Sequence, residues 1–195
     1  TDKHVVTGLW RYDYDGPVLS CRLFTDQSAS VLRDNEFKRK LRAAMDAPDV
    51  VVDTSVHLLV TNSIESSVVY RDVLANGLNK RLVLPASKRC DATVTSCVAD
   101  IDMDATNEIA IGTYGHELIV YKYNTESDSY ELLWERLFAH PLQSIAYIDL
   151  TGDGLKELIV LTVKGLHVMQ HHLENTVQLC HKRVKRLLQS LAISE

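Results

Sequence analysis

Apolar and polar positions alternate over short stretches along most of the chain, and clusters of Gly, Asn, Asp and Ser separate them. The runs "LLVTNSIESSVVY" from Leu58, "EIAIGT" from Glu108, "HELIVYKY" from His116 and "ELIVLTV" from Glu157 are rich in Val, Ile, Leu and Tyr. Such runs predict strands, because branched and aromatic side chains pack well on a pleated surface. Asn76-Gly77, Tyr114-Gly115 and Lys164-Gly165 stand between runs, and each pair predicts a hairpin in which Gly supplies a positive φ. Only the last stretch changes period. Val177, Cys180, Val184, Leu187, Leu188 and Leu191 recur three and four residues apart and predict an amphipathic helix, capped by Asn175 or Thr176.

The runs also repeat. "DIDMDATNEIAI" from Asp100 and "DLTGDGLKELIV" from Asp149 share one layout 49 residues apart, and "LLVTNSIESSVVY" aligns with "IAIGTYGHELIVY" at an offset of 51. A four-strand meander repeated at that period is one blade of a β-propeller, whose repeats run to roughly 40–50 residues. The predicted fold is all-β, a partial propeller of about three four-stranded antiparallel blades, with a short helical insertion and a C-terminal helix. The blades are placed within 1–172: about 16–90 with the insertion at 28–49, then 91–140, then a partial blade at 141–172; the helix occupies 173–195. Three blades do not close a ring, so further blades are expected in a preceding part of a longer protein; the chain starts at Thr1 without Met. A β-sandwich is the other architecture such runs allow, and the regular period disfavours it.

Composition fits this picture and narrows the function. Of 195 residues, 46% are hydrophobic and 24% charged, and the net charge is -5, which argues against general nucleic-acid binding. Cys21, Cys90, Cys97 and Cys180 form no CxxC pair and read as reduced thiols of a cytoplasmic protein. No stretch is long and apolar enough to predict a transmembrane segment.

The acidic joints admit two readings. Asp100, Asp102, Asp104 and Glu108, and then Asp149, Thr151, Asp153 and Glu157, place oxygens at positions 1, 3, 5 and 9 of a loop that could wrap calcium. Alternatively, the short side chains accept backbone N–H groups and fix a turn between two strands. Thr151 replaces a carboxylate and Ala105 replaces a glycine, so the turn reading is favoured and no cofactor is expected.

"DIDMDATNEIAIGTYGHELIVYKY" and "IDLTGDGLKELIVLTVKGLHVMQH" resemble the FG-GAP-like repeats of integrin-type propellers. With "VVYRDVLANGL" they are similar, more narrowly, to the C-terminal half of the kaptin family, over about residues 16–172. That resemblance implies a non-enzymatic adaptor of the KICSTOR complex. It would pair with a second FG-GAP propeller protein and help hold a GATOR-type complex at the lysosomal surface, restraining target-of-rapamycin signalling when amino acids are scarce. It also implies a link with actin and actin-rich projections, so an actin-binding protein and a calcium-responsive module are the alternative functions.

Enzyme signatures fail beside it. His116-Glu117 starts "HELIV", but Val120 stands where a zinc motif needs its second His, and nucleophile-elbow and phosphate-loop patterns are missing. His167 and His171 would share a strand face without a third ligand. Two basic segments remain. "FKRKLR" from Phe37 reads as a solvated helix of the insertion. Lys182, Arg183, Lys185 and Arg186 crowd the final helix, which either packs across its own sheets or meets an acidic partner.

Overall fold

A computed structural model describes residues 8–27, 55–89 and 91–192. The predicted insertion at 28–49, with the "FKRKLR" segment, lies outside the described residues. Three antiparallel sheets follow one another along the chain. The first contains β1 (Val18–Phe24), β2 (His57–Asn62), β3 (Val68–Tyr70) and β4 (Arg81–Val83). The second contains β5 (Thr93–Ala99), β6 (Glu108–Thr113), β7 (Glu117–Asn124) and β8 (Ser129–Leu137). The third contains β9 (Leu142–Ile148), β10 (Glu157–Thr162) and β11 (Gly165–Met169). Each sheet is a meander in chain order, as a propeller blade requires, and the stack is open.

The second sheet is sandwiched, which explains why "EIAIGT" reads as a continuous apolar run: every residue of β6 is buried. Alternation divides the work. Ile109 and Ile111 of β6, with Ile119 and Tyr121 of β7, pack against Phe24, Leu59 and Val69 of the first sheet. Ala110, Leu118 and Val120 face the other way, onto Leu142, Ile145, Leu158 and Val160 of the third. Gly112 has a reason to lack a side chain, because a Cβ there would lie 2.7 Å from Thr95 and 3.0 Å from Leu142. The outer side of the first sheet carries its own small core of Val60, Val68, Tyr70 and Val73. The segment before β1 covers it, with the Tyr14 hydroxyl 2.7 Å from that of Tyr70.

The prediction of a two-residue hairpin at Asn76-Gly77 is corrected. β3 and β4 are joined by a helical turn, α1 (Val73–Asn76), and Gly77 is its C-cap at φ 58, donating its N–H to the Val73 carbonyl. A Cβ on Gly77 would strike the Trp10 indole. At the next turn the left-handed residue is His116, φ 71, and Gly165 is not left-handed at all.

The last element is α2 (Leu173–Ala192). It starts at Leu173, at the boundary expected, but the expected caps Asn175 and Thr176 lie inside its first turn, and the Thr176 N–H and hydroxyl both donate to the His172 carbonyl. Thr176 is buried and Leu179 half-buried, whereas Leu173, Val177 and Val184 are 71%, 63% and 55% exposed. The apolar side thus turns outward in the described part of the helix.

Candidate functional site

Asp100 and Asp149 occupy equivalent turns, β5 to β6 and β9 to β10, and each turn ends on a buried glutamate that opens the next strand. In the second sheet, Glu108 Oε2 accepts N–H groups from Ile101 at 2.7 Å and Asp102 at 3.2 Å. Ile109 pairs with Tyr121, which sets Lys122 beside Glu108. The Lys122 ammonium lies 3.0 Å from Glu108 Oε1 and 2.7 Å from Asp104 Oδ2, and it also pairs with Asp102. Burial pushes the Glu108 carboxyl up and opposes the Lys122 charge, but the three carboxylates raise the lysine pKa regardless. Burial likewise opposes the charge of Asp104, yet hydrogen bonds from Lys122 and Thr106 hold it at about 2.

In this arrangement the acids already hold a cation of the chain's own. Ligand atoms of Asp100, Asp102 and Glu108 converge within 4.8 Å, as a metal site would need, but the Lys122 ammonium already bonds to two of those three residues. In the third sheet the acids are used by the loop itself. Asp149 accepts from the Gly152 and Gly154 N–H groups at 2.7 and 2.9 Å, Asp153 from Leu155 at 2.8 Å, and Glu157 from Leu150 at 2.8 Å and the Thr151 hydroxyl at 3.3 Å. These are Asx-type turns with a buried glutamate as anchor.

The two turns also share a backbone. Met103 (φ 63) and Ala105 (φ 77) adopt the left-handed conformation that Gly152 (φ 76) and Gly154 (φ 89) adopt 49 residues later. A Cβ on Gly154 would meet nothing within 4 Å, so its cost is conformational alone. Gly154→Ala is expected to destabilise by about 1 kcal/mol, and Ala105→Gly to stabilise by a few tenths, because greater unfolded-state freedom offsets part of the relief. Urea melts of both variants check this.

The first sheet solves the same problem with other residues. Leu58 pairs with Tyr70, which sets Arg71 beside His57 at the places of Lys122 and Glu108. Arg71 grips Asp26 through two bonds of 2.5 Å, reaches the Tyr130 hydroxyl at 3.3 Å, and lies 3.9 Å from the centre of the Tyr123 ring. His57 Nδ1 accepts the Asp72 N–H at 2.8 Å, leaving Nε2 to face Asp26 at 3.4 Å. Burial opposes the Asp26 charge, but His57 and Arg71 together hold its carboxyl at about 2. Sequence reasoning missed Arg71, Lys122 and Asp26. The signal was present in the aligned pairs Tyr70-Arg71 and Tyr121-Lys122. In the third sheet Leu158 pairs with Met169, so the corresponding residue is Gln170, without charge.

The joints are tied to each other as well. Asn107 donates its side-chain N–H groups to the Thr25 and Gln27 carbonyls and its backbone N–H to the Asp26 carbonyl, stitching the acidic turn of the second sheet to the first sheet. Other sequence candidates have structural partners: Glu117 is buried against Arg89 at 2.8 Å, His167 meets the Phe138 ring edge-to-face, and His171, beyond the strand, lies 2.8 Å from the Tyr147 hydroxyl. Lys182 and Lys185 are exposed on α2, and Arg183 and Arg186 belong to the same helix. Beneath it runs an open groove of about 430 Å³, lined among others by Cys97, Asp100, Tyr147 and Lys156. No helix among the described residues is long and apolar enough to cross a membrane.

The profile of the family described as "KICSTOR complex protein kaptin" matches residues 1–181. The chain belongs to the kaptin family. A mouse kaptin, a KICSTOR complex protein, is 38% identical over 179 residues, which cover 90% of this chain and 38% of that protein. The chain therefore spans less than two fifths of that relative's length. The kaptin match includes all three sheets with both cation-bearing joints and reaches into α2 as far as His181. A crystal structure of BBS1N in complex with ARL6DN, soaked with lead, aligns with 83% of this chain and 54% of its own at 11% identity. Its TM-score of 0.35 is too low to bear on the argument.

Proposed function

We propose that the chain is part of a non-enzymatic adaptor of the KICSTOR complex, which works by presenting surfaces and helps hold a GATOR-type complex at the lysosome to restrain target-of-rapamycin signalling. The observation that carries this reading, beside family membership, is α2. Its described part turns Leu173, Val177 and Val184 to solvent, and the helix as a whole bears four Lys/Arg residues against Glu174 alone. An apolar stripe rimmed by cations suits an acidic protein partner, since the charges speed encounter and select the partner while the stripe provides burial. The acidic joints serve this function as rigid punctuation and need no calcium.

Capture of the other KICSTOR subunits by the full-length protein tests the reading. Arg183→Glu with Arg186→Glu, and separately Val177→Asp with Val184→Asp, are expected to weaken capture about tenfold or more, the charge pair more strongly at low salt. The Val177/Val184 variant should melt within about 2 °C of the parent, because exposed substitutions change stability by about 0.5 kcal/mol or less. Undiminished capture by both variants removes α2 from the partner surface.

A further inference from the structure

We infer that α2 is one strand of a two-helix coiled coil whose other strand is an acidic helix of a partner protein, an inference that rests on reading α2 as the partner surface. The spacing of the apolar residues points to this geometry. Leu173, Val177, Cys180, Val184, Leu187 and Leu191 follow one another at intervals of four, three, four, three and four. That is the a/d rhythm of a heptad, with β-branched Val177 and Val184 at a and Leu173 and Leu187 at d, the choice that favours two strands. In the described part of this seam Leu173, Val177, Cys180 and Val184 are all exposed. The helix meets its own sheets elsewhere, through buried Thr176 and half-buried Leu179, roughly a quarter-turn round the axis. A heptad seam is completed by a second helix whose side chains lock into it.

Charge selects the occupant. Lys182, Arg183, Lys185 and Arg186 stand against Glu174 alone, and in this register Arg183 takes a g position beside the seam. A second copy of the helix would bring two cationic clusters together. Glu or Asp at the e and g positions of a partner helix would instead pair with Arg183 and lie in the field of the other cations. A membrane surface is the other acceptor that a basic amphipathic helix allows, but a helix lying in a bilayer interface presents a broad apolar face, commonly with Trp or Phe. The seam is narrow, and residues 173–192 contain neither.

A synthetic peptide of three heptads, with Val at a, Leu at d, Glu at e and g and Gln or Ala elsewhere, tests this on the full-length protein. It is expected to bind about tenfold or more tightly than a peptide of the same composition in shuffled order, and than a version with Lys in place of Glu. Cys180, a d position with an exposed thiol, reports where the peptide lies. Saturating peptide should slow its alkylation by N-ethylmaleimide about tenfold or more, and so should assembly with the other KICSTOR subunits. Equal binding of ordered and shuffled peptides, or a Cys180 that stays reactive in the assembled complex, overturns the inference. Either result leaves α2 as a partner surface if Val177→Asp with Val184→Asp still weakens capture, so the two readings fail separately. A parent that sediments as a dimer, dissociated by the same pair of substitutions, would make a second copy the occupant. Protection of Cys180 by phosphatidylserine vesicles and not by the peptide would make it a membrane, and both outcomes overturn the inference.

Discussion

Arg71→Met is expected to lower the stability of the protein by about 3 kcal/mol at neutral pH, the scale seen when one partner of a buried ion pair is removed. For a chain of this size that corresponds to a Tm drop of roughly 10 °C. The Asp26 carboxylate would lose both guanidinium bonds and the Tyr130 hydroxyl its donor, leaving His57 at 3.4 Å to face the carboxylate alone. Arg71→Lys should recover only part, since an ammonium cannot reproduce the two-pronged grip. The effect has a defined pH window. Asp26 is lowered from 3.8 to about 2, so its contribution is complete above about pH 4 and is lost as pH falls toward 2. Parent and variant should therefore converge in acid, and urea melts at pH 7 and pH 2.5 should show most of the difference lost at the lower pH. Equal midpoints at pH 7 would contradict the role given to Arg71.

The second large effect is expected at Lys122. Lys122→Met removes a cation shared by Asp102, Asp104 and the buried Glu108, and should cost about 2–3 kcal/mol at neutral pH. Burial already raises the Glu108 carboxyl, and losing the ammonium raises it further. A carboxyl whose folded pKa lies above its unfolded value destabilises the fold while it is charged, so the variant should regain ground on the parent as pH falls and Glu108 takes up a proton. Millimolar calcium should raise the Tm of the variant and leave the parent unchanged, because only the variant has Asp100, Asp102 and Glu108 without a resident ammonium. A parent stabilised by calcium would mean that the lysine yields to the ion.

What could be read in advance follows from which interactions are local in sequence. Strand alternation and the repeat are local or periodic, so the antiparallel sheets and the equivalence of Asp100 and Asp149 were legible. The occupant of the acidic turn was not. Lys122 meets Glu108 only through the β6–β7 register, and in the sequence it is one polar residue between two tyrosines. Asp26 and Arg71 are farther apart still, 45 residues along the chain. Asn76-Gly77 was misread because the pair suits a hairpin and a helix C-cap equally well, and the Val-Leu-Ala run before it chose the cap. For α2, periodicity located an apolar stripe but carried no information about which side meets the sheets. The body takes the Thr176 and Leu179 side.

A lysine tethered inside an acidic turn has an effective concentration set by the strand that bears it. Neither a chelator nor a pulse of free ion alters that quantity. The Lys122 ammonium holds the joint of the second sheet and the Arg71 guanidinium that of the first, so each of these two sheets carries its counter-ion at a neighbouring strand of its own.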